Sequence, residues 1–293
     1  MARRSGFRIL LAVDGSSQAR AALATVVRAP WPESARVRAV AARQRRGAHQ
    51  RSIILTALDR RADDAAQHAR RTLARRWPDA DALVVDSTAV GGILAEARRY
   101  GADVIAVGWR GYGPARRLLM GSVSRGVVRG AERAVLVVRR APAQIRNIVL
   151  AIDGSPNARR AVRLVARLVP TRDSHVTLVQ AVELLTPTSR GLMATGIRAS
   201  ISLGVKRINA ERSDAARKAL AAAEKELARA GWRTRTELKN GEPLREVMDA
   251  VSAAHADLVV VGARGASGAR HLLLGSVAEG VLNRSPVPIL LVR

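Results

Sequence analysis

The chain is written twice. RILLAVDGSSQARAAL (Arg8–Leu23) aligns with NIVLAIDGSPNARRAV (Asn147–Val162) at an offset of 139 residues. VGWRGYGPARRLLMGSV (Val107–Val123) aligns with VGARGASGARHLLLGSV (Val261–Val277) at an offset of 154. A repeat of this length makes two domains rather than a solenoid of short units. We place them at residues 1–140 and 146–293, joined by RRAPAQIR (Arg139–Arg146), where Pro142 interrupts regular structure. The change of offset puts about 15 extra residues in the second copy, between its second strand and the long helix that follows. This insertion, around LTPTSRGLMATGIRAS, suits either a flap over the second site or an interface element.

Each copy alternates short apolar runs with amphipathic stretches. In the first copy, FRILLAV, RVRAVAA, DALVVDS, DVIAVGW and AVLVVRR read as strands. SSQARAALATVVR, Asp59–Trp77, GGILAEARRY and Ser122–Gly130 read as helices, the second closed by Pro78. The second copy repeats the strands near 147–152, 175–182, 233–238, 257–262 and 287–292. Strands alternating with helices predict an α/β chain of two tandem, doubly wound, Rossmann-like domains. Each is a five-stranded, mostly parallel sheet with helices on both faces. In such sheets ligands bind beyond the C-terminal strand ends, where the strand order reverses.

Composition narrows the function. Aromatic residues are 2% of the chain, so the cores are Val, Leu, Ile and Ala. The absence of Cys excludes disulfides and thiolate chemistry and fits a cytoplasmic location. No run of about 18 apolar residues is present, so no membrane span is expected. Net charge is +26, nearly all of it from Arg, with 27 Arg against 11 Asp and Glu in residues 1–140. The stronger positive field is therefore expected on the first half. These charges are scattered along helices and lack interleaved aromatics, which favours a phosphate-bearing ligand or acidic partner over nucleic acid.

The repeated glycine motif begins where the fourth strand ends. Gly108 and Gly111, then Gly121-Ser122 opening a helix, recur as Gly262, Gly265 and Gly275-Ser276. Glycine lets a backbone approach a ligand without an intervening Cβ, and a Gly-Ser helix start leaves N–H groups and the positive dipole end pointing outward, which suits phosphate. Ser122 and Ser276 can cap the helix or donate to a phosphate oxygen. A P-loop is excluded by the missing Lys, and a dinucleotide fingerprint by DGSS and DGSP after the first strands.

The spacing G-2x-G-9x-G-[ST], the strand ends VDGS and IDGS, and the closing VPILLVR together resemble the ATP-binding branch of the universal stress protein family over nearly the whole chain. The resemblance implies ATP, with or without Mg2+, in each copy. Its base would lie near the ends of strands one and two, and its phosphates on the loop after strand four. Carried over, Ala12, Val13 and Asp14 line the base and ribose in the first copy, and Ala151, Ile152 and Asp153 in the second. Asp14 and Asp153 can also cap the first helix of each copy, and the two roles are compatible. Val182 supplies an apolar contact under the base, where the first copy places Arg43, which could stack on it. On the phosphate loops the candidates are Arg110, Gly113, Arg117 and Val123, with Arg264, Gly268, His271 and Val277 in the second copy. Trp109 could stack on nucleotide or pack on a helix.

The expected role is a nucleotide-binding stress or regulatory protein. One motif carboxylate per site is thin equipment for rapid phosphoryl transfer, and the five histidines form no metal-spaced cluster. Slow ATP hydrolysis or charge-driven nucleic-acid binding are the alternatives. The last strands, AVLVVRR and PILLVR, are expected to pair the two copies as an internal pseudo-dimer, leaving further homodimerisation open.

Overall fold

A computed structural model of the chain describes residues 6–43, 53–111, 120–186, 195–265 and 274–293. The first copy runs β1 (Arg8–Ala12), α1 (Ser17–Arg28), β2 (Arg36–Arg43), α2 (Ile53–Ala74), β3 (Asp81–Asp86), α3 (Ala89–Tyr100), β4 (Val104–Gly108), α4 (Ser122–Gly130) and β5 (Ala134–Val138). The second runs β6 (Asn147–Ala151), α5 (Pro156–Ala166), β7 (His175–Val182), α6 (Thr195–Arg229), β8 (Arg233–Asn240), α7 (Pro243–Ala253), β9 (Leu258–Gly262), α8 (Ser276–Arg284) and β10 (Ile289–Val292).

All ten strands join one sheet in the order β3-β2-β1-β4-β5-β10-β9-β6-β7-β8. Within each copy every pairing is parallel. The copies meet through one antiparallel pair, β5 with β10, where Leu136 faces Leu290. This is the expected internal pseudo-dimer. It removes the two most apolar sheet edges from solvent and leaves β3 and the polar β8 (RTRTELKN) outermost.

Alternating side chains divide the core into two layers. Ile9, Leu11, Val104, Ala106 and Leu136 face α1 and α2, a layer continuous with α5 and α6. Leu10, Ile105, Val107, Val135 and Val137 face α3 and α4, continuous with α7 and α8. Both layers cross the β5–β10 seam, so the copies share their cores.

Polar contacts repeat across the seam. Arg139 donates to the Asn283 carbonyl at 2.7 Å, and Arg293 donates to the Val128 carbonyl at 2.6 Å. Each cation sits at the C-terminal end of the partner copy's last helix, where the helix dipole favours it. The two halves of this clasp differ: Arg139 also lies 3.7 Å over the ring of Trp109, while the second copy has Ala263 there.

Two boundaries shift from the sequence expectation. Helix α2 starts at Ile53 rather than Asp59, there being no cap or breaker between them, and ends at Ala74, with Trp77 N–H returning to the Leu73 carbonyl ahead of Pro78. The insertion extends α6, which has 35 residues against 22 in α2. Asn209 on α6 holds both the N–H and the carbonyl of Leu185.

Gly108 and Gly262 end β4 and β9 against the first turns of α1 and α5. A Cβ on Gly108 would lie 2.7 Å from the Gln18 carbonyl carbon and 2.9 Å from Ala19 N, both backbone. On Gly262 the nearest atom is 3.1 Å away. Backbone cannot step aside as a side chain can, so Gly108→Ala should cost about 1–3 kcal/mol in urea unfolding and Gly262→Ala measurably less. Equal costs would contradict this packing. Arg139→Ala should cost about 1–2 kcal/mol through loss of the helix-end contact and the ring contact, with Arg139→Lys only partly restoring it.

Candidate functional site

The strand order reverses between β1 and β4 in the first copy and between β6 and β9 in the second. At each reversal the DGS loop after the first strand meets the glycine loop after the fourth. The geometry is the same twice. Asp14 Oδ1 accepts the Ser16 N–H at 2.9 Å, and Asp153 Oδ1 accepts the Ser155 N–H at 2.9 Å. The serines, not the aspartates, cap the first helix: Ser16 Oγ accepts Ala19 N–H and Ser155 Oγ accepts Ala158 N–H. The same hydroxyls donate to the Arg110 carbonyl at 3.4 Å and the Arg264 carbonyl at 3.3 Å, tying one loop to the other.

The second glycine of the motif is a close-approach position. A Cβ on Gly111 would collide with Asp14 Oδ2, and one on Gly265 would lie 2.7 Å from Asp153 Oδ2. The third glycine closes the loop. Gly121 N–H donates to the Trp109 carbonyl at 3.0 Å, and Gly275 N–H to the Ala263 carbonyl at 2.8 Å. A Cβ on Gly121 would lie 3.1 Å from the Arg110 Cα. The starts of α4 and α8 are thereby held beside the strand ends and the aspartates.

These two helix starts differ from those of α1, α3, α5 and α7. Helices α1, α3, α5 and α7 are capped by the side chains of Ser16, Thr88, Ser155 and Glu242. The N-caps of α4 and α8 are Gly121 and Gly275, and no side chain among the described residues caps either helix. Ser122 and Ser276 are the first helical residues and are exposed, which removes their expected capping role. Val123 and Val277 follow, partly buried. The first-turn N–H groups thus lack a protein acceptor of this kind and carry the positive end of the helix dipole.

On the base side, Val13 and Ile152 are buried, with Val13 N–H bonded to the Val40 carbonyl and Ile152 N–H to the Val179 carbonyl. Ala12 and Ala151 end the first strands, half-buried. A cavity of about 280 Å3 beside Val13 is lined by Gly15, Arg20, Arg61 and His68. One of about 350 Å3 beside Asp153 is lined by Val182, Gln180, Arg212 and Pro243. The strand registers make Arg43 the counterpart of Val182. Arg43 is drawn to Asp86 at 2.5 Å and Asp63 at 3.7 Å, so stacking on a base would have to compete with two carboxylates. Trp109 is 2% exposed and packs in the core under Arg139, which settles it as a core residue. Arg110 is half-buried near Arg139; Arg264 is exposed, beside Arg293 and away from the aspartates' cavity. Gly113, Arg117, Gly268 and His271 lie outside the described residues.

Three features escaped the sequence reading. Gln180 is 8% exposed on β7, and its Oε1 finds no partner among the described residues; a lone polar residue in HVTLVQAV was the available signal. Arg20 and Arg159 each reach back to the carbonyl of the preceding loop glycine, Gly15 and Gly154. Both glycines take positive φ, 77° and 75°, to make the turn. Among the described residues no group of three or more His, Cys, Asp or Glu is placed to hold a metal, and no helix is long and apolar enough to cross a membrane.

Residues 7–139 and 144–293 each match the universal stress protein family. Universal stress protein YxiE of Bacillus subtilis (strain 168) is 30% identical over 146 residues, 50% of this chain and 97% of that protein. A universal stress protein of Methanocaldococcus jannaschii is 29% identical over 157 residues, 54% of this chain and 87% of that protein. The crystal structure of a universal stress protein from Archaeoglobus fulgidus DSM 4304 superposes with a TM-score of 0.65 at 18% identity, covering 98% of this chain and 96% of that one, a likeness of fold. With both copies matched and nearly every residue included, the chain belongs to the universal stress protein family.

Proposed function

We propose that each copy binds one adenine nucleotide, ATP, and that the protein serves a regulatory role in the stress response rather than as a high-turnover enzyme. The observation that carries this reading is the pair of uncapped helix starts at α4 and α8, set at the two strand-order reversals. An anionic polyphosphate supplies the acceptors these amides lack. Ser122 and Ser276 add hydroxyl donors, and the absent Cβ atoms at Gly111, Gly121, Gly265 and Gly275 leave backbone for close approach. Arg110, Arg117 and His271 belong to the same loops and are candidates to neutralise phosphate charge, whereas Arg264 is turned to the seam beside Arg293. The base and ribose would lie along Ala12, Val13 and Asp14, and along Ala151, Ile152, Asp153 and Val182.

In the second copy Gln180, whose Oε1 has no partner among the described residues, lines the cavity beside Asp153 and can accept from a polar base edge. The motif supplies one carboxylate per copy, with one oxygen spent on the Ser16 or Ser155 N–H; Asp64 and Glu183 border the base-side cavities rather than the helix starts, which favours holding nucleotide over rapid hydrolysis. Magnesium, when present, would be carried chiefly by phosphate oxygens and water. A cytoplasmic location remains part of this proposal.

Protein purified, denatured and run by liquid chromatography should release adenine nucleotide. Gly111→Ala with Gly265→Ala displaces both aspartate carboxylates at backbone angles alanine accepts, so the double variant should keep its circular dichroism spectrum and lose its nucleotide. A folded double variant that retains the wild-type amount contradicts the assignment.

A further inference from the structure

A second basic site lies in the seam between the copies, and the second glycine loop reaches it only through Arg264. A cleft of about 830 Å3 opens there, and half of its fourteen lining residues are arginine. Arg129 and Arg133 come from the first copy; Arg160, Arg163, Arg264 and Arg293 come from the second. The remaining arginine, Arg167, is paired with Asp103 at 3.2 Å. The other lining carboxylate, Glu132, faces Arg98 at 4.0 Å. No ion pair among the described residues reaches Arg129, Arg133, Arg160, Arg163, Arg264 or Arg293. Burial, and then the neighbouring Arg264 charge, push the Arg293 guanidinium below its ordinary pKa. Folding therefore gathers like charges that nothing described in the chain neutralises.

The pseudo-twofold relation shows that four of the seven arginines are particular to this side of the seam. At the image positions Arg129 becomes Asn283, Arg133 becomes Val287, Arg160 becomes Ala21 and Arg163 becomes Ala24, while Arg264 and Arg293 keep arginine as Arg110 and Arg139. The image of Arg167, Arg28, donates to the Pro142 carbonyl of the linker, which crosses on that side. The arginines thus accumulate on the side opposite that linker contact. Among the described residues the cleft wall holds no aromatic ring and no large apolar surface beyond Leu164 and Val292. A base would find nothing to stack on, whereas guanidinium groups are suited to phosphate oxygens.

We infer that the inter-copy cleft is a binding site for a small polyphosphate anion, held by arginines of both copies and separate from the nucleotide crevices. Its occupant would bridge the domains and relieve their mutual repulsion, so binding should also stabilise the fold. The cleft arginines other than Arg264 lie outside the glycine loops, so the site stands whether or not the crevices take nucleotide.

Inorganic tripolyphosphate is titrated by calorimetry into the full chain carrying Gly111→Ala and Gly265→Ala, in which the crevices are disabled. One equivalent should bind and raise the Tm. Adding Arg133→Glu and Arg163→Glu, both exposed positions without a described ion pair, should weaken that binding by about tenfold or more and abolish the Tm shift while the fold is kept. Competition by ATP in the crevice-disabled protein would identify the cleft as taking a nucleotide's phosphate tail, and lack of competition a free oligophosphate; both support the site. Unchanged binding in the arginine variant overturns it. So does tripolyphosphate binding that vanishes with the glycine substitutions alone, or a cleft that binds duplex DNA and not tripolyphosphate.

Discussion

The architecture rests on backbone coming closer to backbone than a Cβ would permit. Gly108 and Gly262 let the fourth strand of each copy end against the first turn of its first helix. Gly111 and Gly265 let the next loop touch an aspartate carboxylate, and Gly121 and Gly275 let the loop close on itself. With these contacts the DGS loop, the strand end and an uncapped helix start converge on one crevice. A methyl group at any of these points pushes one component away from the others.

The β5–β10 pairing works at larger scale. It converts two open parallel sheets into one sheet with two continuous core layers. It also sets Arg139 and Arg293 each at the C-terminal end of the other copy's last helix and collects the arginines of the seam. Duplication supplied the symmetry of this arrangement, and divergence broke it: Trp109 against Ala263, Arg43 against Val182, and arginines against small residues on the two sides of the seam. The crevices have stayed alike where backbone defines them and have diverged where side chains do.

Most of the fold was legible because parallel strands buried on both faces read as continuous apolar runs, bounded here by Asp-Gly-Ser, Pro and Gly. The pairing of the last strands followed from two apolar edges in one chain. The crevice backbone was legible because glycine spacing encodes close approach directly. Side-chain roles were less so. Whether Asp14 or Ser16 caps α1 depends on loop geometry that both residues permit. Trp109 and Arg43 face partners, Arg139 and Asp86, that lie 30 and 43 positions away in the sequence. The seam cleft was invisible for the same reason: its arginines span Arg129 to Arg293, and only the tertiary pairing brings them together. Charge counted by halves puts the stronger field on the first copy, whereas the seam cluster is shared by both.

The central claim is that the amides opening α4 and α8 grip a polyphosphate. Amide hydrogen exchange of the full chain with and without ATP tests it most directly, because these N–H groups lack side-chain caps. Slowed exchange at Ser122–Ser124 and at Ser276–Ala278, reached together in both copies, is the predicted result. Exchange at those amides that is unchanged under saturating ATP, with any protection confined to other segments, would contradict the account.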